Sequence, residues 1–429
     1  MKNFKFYAIL IVLVSATYVS FTIYTIEKER QLLKEDLIEL SKVKYGLFSI
    51  DEWKRIVAGI ITKKIDEFNF DDTNREEMRK RISELLYKII GDFEQRFYKE
   101  KSQSIVGMIQ GSIASMLGAF DNIKQDVPKF TEQILDFMND PENRKAVRQY
   151  VIEKLNQYAD NTFSKIDYAT HNQILAKYQF ANREQAISGL SSTIESLDKQ
   201  SKPYKQALLA MTLLVALYVA FTRMNSKNEY LVATLMCLTL LVTGLILPMI
   251  EIDARISSMS FTLLGDSVSF KDQVLYYKSK SILEVVQLML QQSRPDVLLV
   301  GILVFVFSVL FPLSKLIASI LYIYLDRTRS SRFIKFLVFK TGKWSMADVM
   351  VIAIFMSYIG FSGIITEQLK QIESITGNMD ILTTNKSNLL IGFFAFTSFA
   401  ILSLLISHKL QFGLRSKGFV NDSFASKPQ

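Results

Sequence analysis

Six long apolar runs constrain this chain most, because an apolar helix of about 20 residues is long enough to cross a bilayer. They predict an all-α, polytopic membrane protein with six transmembrane helices. The first run follows Lys2 and Lys5 and lacks a small-x-small cleavage site, so we interpret it as an uncleaved anchor rather than a signal peptide. The runs are 6–26, 207–222, 230–250, 297–325, about 346–366 and 389–407.

The net charge of +9 is confined to the membrane part of the chain. Residues 27–205 hold 29 Lys and Arg and 29 Asp and Glu, and are therefore neutral. With both termini in the cytoplasm, the cytoplasmic segments carry 14 basic residues and the short external segments carry 7, as the positive-inside rule requires. This orientation places 27–205 outside the cytoplasm, in the periplasm of a bacterium with two membranes. The basic loops are short and flank the spans, so we predict no nucleic-acid partner.

Residues 27–205 predict a large extracytoplasmic helical domain. Apolar residues recur there at helical spacing, as between Ile82 and Phe93, and Pro is rare. The predicted segments are an N-terminal transmembrane anchor (1–26), this helical domain (27–205), a second transmembrane helix with a short cytoplasmic turn (206–229), a four-helix membrane module (230–410) and a cytoplasmic tail (411–429). Within the module, Ile282 to Leu290 predicts a short amphipathic helix that lies at the membrane surface or packs on the spans.

The fourth apolar run carries a lysine, which is costly in an apolar helix and usually faces the protein interior. Pro312 loosens the helix three residues before it. One alternative is that Lys315 snorkels to the cytoplasmic surface, but it lies 11 residues before Asp326, roughly 16 Å at the helical rise. We therefore predict a buried polar site on the helix face shared by Ser308, Lys315, Ser319 and Tyr322.

Asp348 opens the fifth run and is the second ionisable residue of this candidate site. The alternative role is that of a helix cap or an interfacial residue, since it follows the basic residue Lys343 closely. Whether Lys315 and Asp348 touch stays open at this point. Trp344, at a basic border, is typical of an interfacial anchor, and Pro248 is typical of a residue that shapes a helix end.

The chain offers no residues for metal or nucleophilic chemistry. Cys237 is the single cysteine, so no intrachain disulfide forms, and the histidines, His171 and His408, are far apart. No hydrolase elbow, phosphate-binding loop or dinucleotide fingerprint occurs. We therefore predict a protein that is not an enzyme and that uses no metal and no cofactor.

Residues 230–410 resemble the paraquat-inducible protein A family, which includes the lipophilic envelope-spanning tunnel A proteins. The most specific matching string is Trp344-Ser345-Met346-Ala347-Asp348-Val349. Known members of the family carry two copies of the membrane module and Cys-rich zinc ribbons, whereas this chain has one copy and no ribbon. The other matching residues are Leu247-Pro248, Phe311-Pro312-Leu313-Ser314-Lys315-Leu316 and Gly392-Phe393-Phe394-Ala395-Phe396.

The resemblance implies an inner-membrane protein that passes phospholipid-like membrane lipids to a periplasmic MCE-type carrier and so maintains the envelope barrier. It also adds weight to Lys315 and Asp348, which fall within the family's motifs. A sensory receptor is the alternative, because an anchor, a helical external region and a second span resemble a receptor input module. No signalling helix follows Arg223, however, and only seven residues separate the second span from the third.

Overall fold

The computed structural model describes residues 2–46, 75–98, 124–136, 167–222, 226–263, 266–325, 331–340, 347–375 and 380–415, with a few single residues between them. Residues 124–136 are helical, and two π-helical turns, Val306–Leu310 and Phe336–Lys340, extend helices. The other elements in chain order are α1 (Lys2–Ser41), α2 (Arg75–Tyr98), α3 (Ala169–Tyr178), α4 (Arg183–Phe221), α5 (Lys227–Ile246), β1 (Ile250–Leu263), β2 (Asp266–Lys280), α6 (Ile282–Leu290), α7 (Pro295–Phe305), α8 (Phe311–Tyr324), α9 (Arg332–Lys335), α10 (Ala347–Ile375), β3 (Asp380–Asn385), β4 (Asn388–Leu389) and α11 (Ile391–Arg415).

Five of the described helical segments are long and apolar enough to cross a membrane, so the chain is a membrane protein. The predicted fifth run corresponds to α10, whose apolar part, Val351–Glu367, is shorter than the other five. The structure therefore supports five spans by length and composition. The segments are Phe6–Ser41, Arg183–Phe221, Lys227–Ile246, Pro295–Tyr324 and Ile391–Gln411.

Helix α5 lies at the centre of the membrane bundle. Its span is 67% buried, against 33% or less for α1, α4 and the α7–α8 segment. It packs against α1, α8 and α11, and its buried side chains include Met236, Leu240 and Leu241. The outer helices expose large apolar side chains such as Phe21 and Leu213, as lipid-facing surfaces do.

A four-stranded antiparallel sheet lies at one end of the bundle, in the order β2-β1-β3 with β4 also paired to β1. The all-α prediction was therefore wrong in this respect, although the chain is mostly helical. The central strand alternates apolar residues, such as Ile250 and Ile252, with charged ones, such as Glu251 and Asp253. This period of two indicates a strand, but its partner β3 comes more than 100 residues later, so local sequence does not reveal the pairing.

The sheet joins two connections that lie far apart in sequence. Strands β1 and β2 connect α5 to α6, whereas β3 and β4 connect α10 to α11. Because β1 pairs with β3 over Ala254–Asn385 to Ser260–Asp380, both connections lie at the same end of the bundle. This agrees with the predicted topology, in which 251–296 and 367–388 are both external.

Helices α1 and α4 continue past the bundle at this same end. Both cross the predicted domain boundaries, at residues 26–27 and 205–206, without a break. Past the bundle they form a second apolar core with α3, in which Leu33, Leu40, Ile174 and Leu190 are buried. The amino-acid composition changes at these boundaries, whereas the helical backbone continues through them. The described parts of 27–205 are predominantly helical, as predicted.

Candidate functional site

Lys315 lies inside the bundle, with only 3% of its surface exposed. Its Nζ donates a hydrogen bond to Ser403 Oγ on α11 at 2.8 Å, so the contact joins α8 to the last helix. Ser319, one turn further along α8, donates its hydroxyl to the Lys315 carbonyl. Lys315 therefore does not snorkel to the surface; it is a buried ammonium bonded to a neutral side chain.

The predicted polar face of α7–α8 points into the protein. Ser308, Lys315, Ser319 and Tyr322 are all buried, whereas Leu310 and Ile317 are exposed. The Ser308 hydroxyl has no hydrogen-bond partner among the described residues. A buried hydroxyl without a partner is costly.

The helix that carries Lys315 departs from regular α-helical geometry just before Pro312. A proline has no N–H to donate to the carbonyl four residues earlier, which here is Ser308. The helix responds with the π turn Val306–Leu310, and the Phe311 N–H bonds to the Val306 carbonyl five residues back. π turns inside α-helices frequently occur at functional sites. The prediction that Pro312 loosens the helix is confirmed, although the result is a wider turn rather than a break.

The rest of the predicted site is only partly described. Trp344, Ser345 and Met346 lie outside the described residues, and so does the side chain of Asp348, whose backbone is in the first turn of α10. A contact between Lys315 and Asp348 stays a prediction. Within the described residues, no group of three or more His, Cys, Asp or Glu side chains could hold a metal ion.

Pro248 contacts Gly392, which belongs to another of the motifs that match the family. Its carbonyl accepts a hydrogen bond from the Gly392 N–H at 3.2 Å, where α11 begins. A Cβ at Gly392 would lie 2.3 Å from the Leu247 carbonyl oxygen, so only glycine allows this approach. The Leu-Pro and Gly-Phe-Phe motifs thus form one junction between α5 and α11, and Pro248 shapes that junction.

An apolar cavity of about 520 Å³ lies where the sheet meets the membrane helices. This volume falls within the roughly 300–1,000 Å³ of typical small-molecule sites. Its walls come from the first residues of β1, the end of β2, and helices α6, α7 and α10. Val304 on its wall is 11 residues from Lys315, about 16 Å along a helix, so the cavity and the buried lysine are separate sites. The lining residues are Met249, Ile250, Ile252, Lys278, Lys280, Ser281, Ile282, Val285, Leu288, Met289, Gln292, Val297, Val304, Ile354, Ser357 and Phe361.

Helix α6 forms the side of the cavity next to the sheet and has the predicted bounds. It begins with a capping box, in which Ser281 Oγ accepts from the Glu284 N–H and the Glu284 carboxylate accepts from the Ser281 N–H. It packs on α7, where a Cβ at Gly301 would lie 2.8 Å from Met289 Cβ. The close approach at Gly301 therefore sets the distance between α6 and α7.

The two faces of the β1–β2 hairpin serve different neighbours. Ile250 is opposite Lys280 and Ile252 is opposite Lys278, and all four line the cavity. Glu251, Asp253 and Tyr277 alternate with them and face Arg30 and Lys34 on α1. The strand period of two therefore separates an apolar cavity wall from a charged contact surface.

The charged face joins the sheet to the long helices through ion pairs. The Lys34 ammonium lies 2.5 Å from Glu251 Oε1 and 3.8 Å from Asp253 Oδ2. Arg30 contacts Glu251 and, at 2.6 Å, Asp198 on α4. The network also includes Glu27, Lys205 and Arg255. Arg255 also lies 4.0 Å from Asp272, so the described network contains five acidic and four basic side chains.

The network shifts the pKa values of Arg30 and of the neighbouring Tyr277. Burial acts to lower the pKa of Arg30, but the carboxylates of Glu251, Glu27 and Asp198 outweigh it, and the pKa is raised. Burial and the Glu251 carboxylate also raise the pKa of Tyr277, which remains a hydroxyl donor to Glu251 Oε2 at 3.3 Å.

Sequence reasoning missed Ser403 and the cavity. A serine in an apolar run is an available signal, but many such serines bond only to their own helix, as Ser407 does through its hydroxyl. The cavity depends on how two strands and two helices that follow one another in sequence fold back together, and on α10, which comes about 50 residues later. Lys278 and Lys280 are two of several basic residues in a segment that is predicted to be external, and only the register of the hairpin places them at the cavity.

Residues 275–371 match the family model described as paraquat-inducible protein A. The predicted resemblance is confirmed over this segment, which is shorter than the expected 230–410. The segment runs from β2 to α10 and includes Lys315 and most of the residues that line the cavity. No curated protein and no solved structure matches the chain.

Proposed function

We propose that this protein is an inner-membrane component of a bacterial lipid-trafficking system. It passes phospholipid-like molecules between the membrane and a periplasmic MCE-type carrier, and so maintains the envelope barrier. The apolar cavity carries the proposal, because it lies at the level where membrane helices give way to the sheet and most of its lining belongs to the matched segment.

The composition of the cavity wall favours an acyl chain as its occupant. Apolar residues of α6, α7 and α10, such as Leu288, Val297 and Phe361, supply most of the wall. Leu288 and Phe361 are 43% and 50% exposed, so the wall is continuous with a surface that meets lipid. A lipid that enters here keeps its chain in apolar surroundings while its headgroup reaches the sheet.

We propose a second role in this function for the buried Lys315. An ammonium inside a membrane bundle is costly and usually marks a transport pathway or a proton relay. Lys315 has a neutral partner in Ser403, next to a helix widened by a π turn. We assign it to the conformational or proton-coupled step that moves the lipid, together with Asp348.

Blocking the cavity tests the proposed function. Val285→Trp and Ile354→Trp each place an indole in the cavity, while Ile352→Trp adds the same group to the lipid-facing side of α10, where residue 352 is 57% exposed. Lipid that remains bound after detergent exchange is quantified by native mass spectrometry. We expect a severalfold loss in the two cavity variants and none in the control. Equal lipid retention in all three variants would contradict the proposal.

The same variants test transport in cells. A strain that lacks the gene and expresses a cavity variant should show the detergent sensitivity of the deletion strain, whereas the Ile352→Trp control should restore the barrier. Crosslinking in these cells, followed by mass spectrometry, identifies the carrier. An MCE-type protein linked to the helical region 27–205 is the expected result.

A sensory receptor is the second candidate. The continuity of α1 and α4 favours it, because each runs unbroken from the external helical core into the membrane. A receptor requires no lipid in the cavity, so cavity variants with normal lipid retention but altered gene expression would favour this function instead.

A further inference from the structure

We infer that the cavity selects phospholipids with a net negative headgroup, through Lys278 and Lys280. This inference rests on the proposed function and adds the class of lipid to it. The two lysines line the cavity from adjacent same-face positions of β2, where the sheet rises from the membrane helices.

The hairpin register places both ammonium groups over the apolar wall. Lys278 and Lys280 are opposite Ile252 and Ile250, so the lysine stems extend the wall that the isoleucines begin. Lysine side chains commonly pack their methylenes on apolar surface and keep the ammonium in water. Lys278 is exposed and Lys280 is half-buried, so the two side chains form a rim at the edge of the cavity. A chain in the cavity therefore leaves its headgroup phosphate beside two cations.

Neither lysine is neutralised by a close carboxylate. Among the described residues, Lys278 has no acidic partner. Lys280 lies 4.0 Å from Glu284 Oε2, the outer limit of an ion pair, and both side chains are about one-third exposed. The Glu284 carboxylate is already bonded to the Ser281 N–H and to the Gln31 amide. The rim is therefore positive on the side that a headgroup meets.

Charge at the rim distinguishes headgroups that share a phosphate. A phosphatidylglycerol-type headgroup is attracted to both lysines, whereas the ammonium of a zwitterionic headgroup is repelled by them. Two partly exposed ion pairs supply a preference of about three- to tenfold. Glu251 and Asp253 of the hairpin do not oppose this preference, because they lie on the other face of β1 and are paired with α1.

Competition between headgroups tests the inference. The purified, delipidated full chain is mixed with equal amounts of phosphatidylglycerol and phosphatidylethanolamine of identical acyl chains, and native mass spectrometry gives the ratio of the bound lipids. We expect the wild type to favour phosphatidylglycerol about three- to tenfold. The Lys278→Gln/Lys280→Gln double variant should bind the same total amount of lipid with a ratio near one.

Two controls keep the result specific. Lys271→Gln removes the same charge from the same strand at an exposed position away from the cavity, and should leave the ratio unchanged. Lys278→Arg/Lys280→Arg keeps the charge and should keep the preference, which separates charge from any loss of fold in the Gln variant.

The possible failures are distinguishable from one another. A wild type without a preference, or a double Gln variant that keeps it, overturns the headgroup inference even if the tryptophan variants still displace lipid. If the tryptophan variants retain lipid as the wild type does, the proposed function itself fails.

Discussion

At the scale of single residues, Lys315 shows how this chain tolerates a charge inside its membrane bundle. Lys315 is 3% exposed, and the hydrogen bond from its Nζ to Ser403 joins two helices. Hydrogen bonds that involve a charged group are stronger than neutral ones, and a buried charge that loses its partner is costly. The Lys315–Ser403 contact should therefore contribute measurably to the attachment of α8 to α11.

A double-mutant cycle tests this contact. Ser403→Ala should lower the melting temperature in detergent, whereas the same change should have little effect in a Lys315→Met background. The expected coupling is about 1 kcal/mol, within the range of interhelical hydrogen bonds in membrane proteins. Ser407→Ala is the matched control, because that hydroxyl bonds to its own helix. A coupling near zero would mean that the two side chains are neighbours without a significant interaction.

At the scale of elements, the crossing of α5 and α11 depends on the absence of one methyl group. A Cβ at Gly244 would lie 2.7 Å from the backbone nitrogen of Phe396 and 2.8 Å from its Cβ. Phe396 is fully buried, so α11 cannot move aside without opening the core. Small residues at such crossings allow the close backbone contact that stabilises membrane bundles.

Replacement of this glycine should separate the two helices. Gly244→Ala is expected to cost about 1–3 kcal/mol, the usual effect of overpacking a core. Gly360→Ala is the control, since its Cβ would meet nothing within 4 Å on the exposed side of α10. There, the better helix propensity of alanine predicts an unchanged or slightly higher melting temperature. Equal effects of the two substitutions would show that α5 and α11 are not closely packed.

The ion network between β1 and the long helices is a second contact between elements. Glu251 is 3% exposed and contacts Arg30 and Lys34. Glu251→Gln leaves two buried cations short of a partner, and breaking a buried ion pair typically costs about 3–5 kcal/mol. Glu195→Gln makes the same change in an exposed pair with Lys199 and should leave thermal stability unchanged. If the melting temperature of Glu251→Gln equals that of the wild type, the network does not stabilise the contact.

At the scale of the whole molecule, the sheet determines which connections share one side of the membrane. It pairs the segment after α5 with the segment after α10, and the charged network adds the outer ends of α1 and α4. All of these segments are external in the orientation that the basic residues favour. Reporter fusions at Asn225, Ser330 and Gly418 should therefore give a cytoplasmic signal, and a fusion at Gln125 an external one. A cytoplasmic signal at Gln125 would invert the proposed arrangement.

The sequence by itself determined the membrane class, the positions of the apolar helices, the bounds of α6 and the inward face of α8. These features depend on local hydrophobicity and on helical periodicity, which neighbouring residues fully specify. Tertiary structure alone decided the sheet, the Ser403 partner of Lys315, and the cavity with its two lysines. Strand β1 finds β3 across more than 100 residues, and the hairpin register decides that Lys278 and Lys280 face the cavity while Tyr277 faces α1. Because a shift of one residue in register exchanges the two faces of a strand, composition cannot predict this arrangement.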